Sequence, residues 1–264
     1  MRRSSIFWGV AIILAGVVLL LSNLGLLPVN AWNLIWPLAL VLLGLWFLFA
    51  PRLARGSLET RDLALPLEGA RSAQVRISYG AGRLDLGPSS IPGQLLSGSF
   101  EGGVRESVSR NGDQTSVRLE NPEIPVPGVI AGRQGASWRV QVSPDVDLNL
   151  VLETGASENI LDLGRLRVTN LEIKSGASST DVTLPANAGS TRVKVESGAA
   201  SVTLRVPPGV AARIKGESFL SGFEIDAARF PRVDGQHYES PDYATAVNRV
   251  DISAEMGVGS VKVF

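Results

Sequence analysis

Three stretches of the chain repeat one another: LETGASENILDL at 152–163, IKSGASSTDVTL at 173–184 and VESGAASVTLRV at 195–206. Their central glycines, Gly155, Gly176 and Gly198, are spaced by 21 and 22 residues, a period that belongs to arrays of stacked units. Before each glycine, apolar and polar residues alternate, as in Leu171-Glu172-Ile173 and Val193-Lys194-Val195. That is the period-two pattern of a strand with one buried face. Each unit therefore predicts a strand, a tight turn at Ser/Thr-Gly-Ala and a second strand. The glycine is expected to take a positive φ, and its small neighbours to stack on their counterparts. A single unit cannot bury its apolar face, whereas a stack shares one continuous core.

Weaker relatives extend the series to VRISYGAGRLDL at 75–86, IKGESFLSGFEIDA at 214–227 and VDISAEMGVGSVKVF at 250–264. The expected structural turn glycines are Gly80, Gly155, Gly176, Gly198, Gly222 and Gly257. Turn chemistry separates the units, in SPD from 143, LPANAG from 184 and VPPG from 206. The fold class expected is an all-β repeat domain, a β-solenoid-like stack of short strands, with a β-sandwich as the alternative that spacing leaves open. The rhythm breaks between Ile91 and Val142. VRESVSRNGDQTSVRLEN there reads as a hairpin about Asn111-Gly112, and SWRVQV as a further strand. Two segments, at about 120–137 and 229–248, read as surface loops and as the leading contact candidates.

The first fifty residues differ in kind. No charge occurs from Ser4 to Ala50, and two apolar runs, at about 6–27 and 34–50, are separated by the short PVNAWN. The first run is roughly 33 Å long as a helix, enough for a bilayer core of about 30 Å. The division expected is a transmembrane helical hairpin in residues 1–56 and the β domain in 57–264. A cleaved signal peptide fits less well, because the first run exceeds the usual core of about 7–15 residues. Trp8, Trp32, Trp36 and Trp46 lie toward the ends of the spans, as an interfacial belt requires. Arg2 and Arg3 precede the hairpin, Arg52, Arg55 and Arg61 follow it, and the connecting loop carries no basic residue. The positive-inside rule then puts both ends, and the β domain, on the cytoplasmic side.

Composition excludes several functions. Lysine plus arginine equals aspartate plus glutamate at 25 each, so no net field draws nucleic acid, and basic residues alternate with acidic ones along the strands instead of forming a stripe. With no cysteine, disulfides, thiolate metal sites and cysteine nucleophiles are ruled out. The sole histidine, His237, sits in the polar DGQHYES and reads as a loop histidine rather than a general base. GAGRLD and GVGSVK lack the third glycine of a dinucleotide loop and the ending of a P-loop. No catalytic residue, cofactor or metal ligand is expected, and no enzyme.

The pattern LGLL…W…IWPLALVLLGLWFL followed by ISYGAGRLDLG and a closing GVGSVKV resembles the LiaF-like family of bacterial cell-envelope-stress membrane proteins. The first part is similar to the LiaI/LiaF-like transmembrane region and the second to the toast-rack β domain. The resemblance implies a non-catalytic regulator in the bacterial cytoplasmic membrane. Its implied partners are the lipid bilayer and a membrane sensor kinase or other envelope protein. A self-associating structural β module, a homo-oligomer through open ends of the stack, is the second expectation.

Overall fold

The computed structural model describes residues 59–122 and 136–264; the expected transmembrane hairpin and the greater part of the loop expected at 120–137 lie outside the described residues. The strands are β1 (Thr60–Pro66), β2 (Ser72–Pro88), β3 (Gln94–Glu101), β4 (Arg105–Asn111), β5 (Gln114–Glu120), β6 (Ala136–Val142), β7 (Asp147–Asp162), β8 (Arg167–Thr183), β9 (Ser190–Arg205), β10 (Ala211–Ile225), β11 (Arg232–Asp234), β12 (His237–Glu239) and β13 (Arg249–Val263). They form one hydrogen-bonded array in the order β1-β3-β6-β2-β7-β8-β9-β13-β10-β12-β11, with β5 on β2 and β4 on β5.

The repeat units pair side by side, in parallel and in register: β2 with β7, β7 with β8, β8 with β9, β9 with β13 and β13 with β10. Each unit is a single long strand of 15 to 17 residues running through the glycine, not the two strands and tight turn that the sequence predicts. The strand nonetheless folds back on itself. Sixteen residues at about 3.3 Å each would reach roughly 50 Å, yet β8 begins five residues after β7 ends, a gap that chain geometry limits to about 18 Å. The fold-back is at the glycine, where the burial alternation slips. In β7, Thr154 is buried, Gly155 and Ala156 are exposed, and burial resumes at Asn159. Two half-strands therefore face a common core. Leu163, Leu166, Leu184, Val206 and Val210, in the short returns between strands, close its far side.

The corner glycines line up across the array, each backbone against the next. A Cβ on Gly176 would lie 2.9 Å from Gly155 O, one on Gly198 2.9 Å from Gly176 O, and one on Gly257 2.7 Å from Gly198 O, while Gly155 is closer still to Gly80. None of these glycines has a positive φ; close approach of neighbouring backbones, not left-handed conformation, is what excludes a side chain. Gly222 is not a corner residue. It stands opposite Ser260, with open space around its Cβ position, and the register puts residue 219 across from Gly257.

The core tapers. Three residues before the corner, the inward row reads Ile77, Leu152, Ile173, Val195, Ala254, Gly216 from β2 to β10. At the narrow end the Phe223 ring fills the space, its Cζ 2.7 Å from where a Gly216 Cβ would be. At the wide end, Trp138 packs edge-on against Phe100 at 5.2 Å and tilted against Tyr79 at 5.5 Å.

The hairpin expected at Asn111-Gly112 is β4–β5, closed by Gly112 and Asp113 with Gly112 at φ 62°. Within 229–248, expected as loop, β11 and β12 form a short hairpin docked on the first residues of β10. Alternation there is too brief to register as strand.

Candidate functional site

The glycine corner carries the chemistry that the repeats have in common. Inside it runs a polar chain across four strands, buried at Tyr79, Thr154, Asn159 and Thr180 and half-buried at its serines. The Tyr79 hydroxyl donates to Asn159 Oδ1. Asn159, fully buried, donates from Nδ2 to Thr180 Oγ1 at 2.9 Å and to Ser157 Oγ at 3.1 Å. Ser157 donates to Thr154 at 2.9 Å, Ser178 donates to Ser175 at 2.8 Å, and Ser175 and Ser197 share a bond of 2.7 Å. Buried polar groups need such partners, because each one left unpaired costs its full desolvation. Burial pushes the Tyr79 phenol up to about 12, against a smaller opposing effect of Ser157 and with a minor contribution from Asp85.

Two solutions to corner packing occur along the array, one in the middle units and the other at β2 and β13 that flank them. Where the residue before the glycine is large, Tyr79 or Met256, the second residue after it is Gly82 or Gly259, at φ 142° and 139°. In the middle units both positions are small, as in Thr154/Ser157, Ser175/Ser178 and Ser197/Ala200.

Outside the corner lies an open trough of about 880 Å³, lined by Ser78, Glu120, Glu153, Lys174, Glu196 and neighbours. One row of it reads Ser78, Glu153, Lys174, Glu196 across adjacent strands. Arg76 pairs with Glu153 at 2.6 Å, and Ser78 donates to the same carboxylate at 2.9 Å. Lys174 sits 2.8 Å from Glu172 and 3.9 Å from Glu196, which also binds Lys194. The hydrogen bond to Glu172 raises the Lys174 pKa, that to Glu196 raises the Lys194 pKa, and the hydrogen bond from Lys194 lowers the Glu196 pKa. The trough is thus an open face whose charges are paired. It can meet a polar surface, and its groups are already committed to each other.

His237 lies on β12, opposite Lys215 of β10. Its Nδ1 is 3.6 Å from Asp234 and its Nε2 4.0 Å from Glu239. Glu239 in turn receives Arg213 at 2.6 Å, and the Arg213 guanidinium lies 4.2 Å over the Tyr243 ring. Ser240 locks this cap to β10 by accepting the Ala212 N–H at 2.9 Å and donating its own N–H to Ala212 O at 2.8 Å. Among the described residues, no group of three or more His, Asp or Glu could hold a metal ion.

Two family models match the sequence: the N-terminal domain of toast_rack, DUF2154, over residues 54–205, more than half of the chain, and the LiaI-LiaF-like transmembrane region over residues 6–48. The chain belongs to the LiaF-like toast-rack family. In this toast-rack protein the first match runs from β1 to β9 and holds the glycine corner from Gly80 to Gly198. The second makes it a membrane-associated protein; among the described residues no helix is long and apolar enough to cross a membrane. The β fold is shared with a solved structure described as a cell adhesion protein from Clostridium sporogenes, at TM-score 0.72 and 17% identity over 78% of this chain and 98% of that one. Structures described as adhesins from Bacteroides fragilis (TM-score 0.22, 10% identity, 79% and 97% covered) and Parabacteroides distasonis (0.26, 8%, 80% and 98%) superpose too loosely to carry an argument. No curated protein matches the sequence.

The glycines mark only half of what builds the corner. Asn159, Thr180 and Tyr79 hold the inside of the corner together, and their signal is a polar residue standing at a core position of the alternation, at Asn159 and Thr180.

Proposed function

We propose that this toast-rack protein is a two-span protein of the bacterial cytoplasmic membrane whose β domain regulates a membrane sensor kinase by direct contact, without chemistry of its own. The observation that carries the reading is the joining of a LiaI-LiaF-like transmembrane region to a toast-rack domain in one chain. The site is consistent with it: the corner trough is an open face whose charged groups are paired with one another. Such a face is a recognition surface rather than a reaction centre. In this reading the domain is a β-solenoid-like stack rather than a sandwich, which the four-residue return from β7 to β8 supports. The arginines flanking the apolar hairpin support a cytoplasmic β domain.

Crosslinking in intact membranes followed by purification in mild detergent tests the contact. A histidine kinase should be recovered with the full chain and lost when Glu153, Lys174 and Glu196 are replaced together by alanine. Recovery of no kinase, or recovery that does not depend on these residues, refutes the assignment. Because the chain has no cysteine, a single cysteine placed at Ser201 reports the side of the membrane. Labelling by an impermeant maleimide in intact cells would overturn the cytoplasmic placement.

A further inference from the structure

The two ends of the parallel array are finished differently. At one end β2 is covered along both halves, by β5 and β4 on the first and by β6, β3 and β1 on the second. At the other end β12 covers only Arg213–Lys215 of β10, and Gly216 N–H reaches Gln236 O at 3.1 Å. From Glu217 to Ile225, β10 pairs with β13 alone among the described residues. That leaves one side of the strand as an open row of backbone donors and acceptors.

Open edges in soluble domains are normally blunted by lysine, proline, bulges or short length. The other outer strands follow this rule. β1 is seven residues long, carries Arg61 and Asp62 and ends on Pro66; β4 reads RESVSRN. The bare stretch of β10 reads ESFLSGFEI: at nine residues it is longer than β1 or β4, it has no proline or basic residue, and of its two charges Glu224 is already paired with Lys262 of β13. Among the described residues it is the least protected edge. The described chain enters at β1, and β5 and β6 flank residues 123–135, all at the opposite end of the array.

We propose that the occupant of this edge is a second copy of the chain, pairing its own residues 217–225 antiparallel across a two-fold axis. Head-to-tail pairing would have to use the charged edges of β1 or β4, whereas the same edge on both copies closes at a dimer. A register centred on Ser221 puts Glu217 opposite Ile225 of the second copy and Glu224 opposite Ser218, so like charges are kept apart. A membrane tether holds the copies in one plane and raises their effective concentration. The inference does not rest on the kinase contact.

The test uses the full chain in its membrane. With no native cysteine, Ser221→Cys should give a disulfide-linked species of twice the chain mass on mild oxidation, and Asp62→Cys on β1 should not. In mild detergent the unmodified chain should run as a dimer by light scattering, and Ser221→Lys should convert it to a monomer with unchanged circular dichroism. A monomeric unmodified chain, crosslinking at Ser221→Cys no greater than at Asp62→Cys, or crosslinking of Ser221→Cys to a protein of another mass would each overturn the proposal.

Discussion

Replacing Gly176 by alanine tests the glycine corner directly. The added Cβ would sit 2.9 Å from the Gly155 carbonyl oxygen, several tenths of an ångström inside normal contact, and the neighbour is backbone held by the parallel ladder on both sides. Relief requires the strands to part locally. Overpacking of this kind costs about 1–3 kcal/mol, offset by roughly 0.4–1 kcal/mol from the stiffer unfolded chain. A net loss of about 1–2 kcal/mol is expected. For a domain of this size it lowers the melting temperature by about 2–4 °C per kcal/mol, measured by far-UV circular dichroism on the full chain in detergent. Gly222→Ala is the control, because its Cβ position is open; it should be neutral or slightly stabilising. Equal effects of the two substitutions would refute close backbone approach as the reason for the corner glycines. Gly176→Val should be worse than Gly176→Ala by the same steric logic.

Asn159→Ala should cost roughly 1–3 kcal/mol, because it strips partners from the Tyr79 and Thr180 hydroxyls inside the core; urea denaturation measures it. Alkaline titration should destabilise the domain. The Tyr79 phenol, held at about 12 by burial, stays protonated while the unfolded chain ionises near 10, so stability present below pH 10 falls by roughly 2–3 kcal/mol as pH rises toward 12. Tyr243, also pushed up to about 12 mainly by burial, acts in the same direction, and Tyr79→Phe should therefore make the loss shallower without abolishing it. Gly216→Ala should destabilise by collision with the Phe223 ring, and Phe223→Leu in the same chain should recover part of the loss, a coupling readable from a double-mutant cycle.

The middle of the array was legible because its spacing is constant. Three units in succession leave one arrangement in which Gly155, Gly176 and Gly198 all meet. What the glycines do was less legible: a tight turn and a corner both favour glycine, and only the neighbouring backbone distinguishes a φ requirement from a contact requirement. Gly222 was misleading because SGF in β10 imitates the SGA of the other units, while the register is fixed by alternation on the flanks, three residues out of step. The place of β13 between β9 and β10 was not legible at all. Both strands carry the same alternating pattern, and nothing local to either says which neighbour it takes. At the site, the charged trough follows from strand alternation, whereas the link from Tyr79 to Asn159, eighty residues apart, depends on a pairing of distant units.

That strand order imposes a timetable on synthesis. The ribosome delivers β10 before β13, yet in the finished domain β13 lies between β10 and β9, starting 38 residues downstream. The nascent stack can grow unit by unit through β9, as vectorial folding allows, and then has to wait. Until Arg249–Val263 arrives, β10 has no long neighbour, and the flank of β9 is exposed to any extended chain in reach. Placement of β10 thus waits on β13, and a pause or truncation after β10 should yield chains that are captured by chaperones rather than ones that are merely less stable.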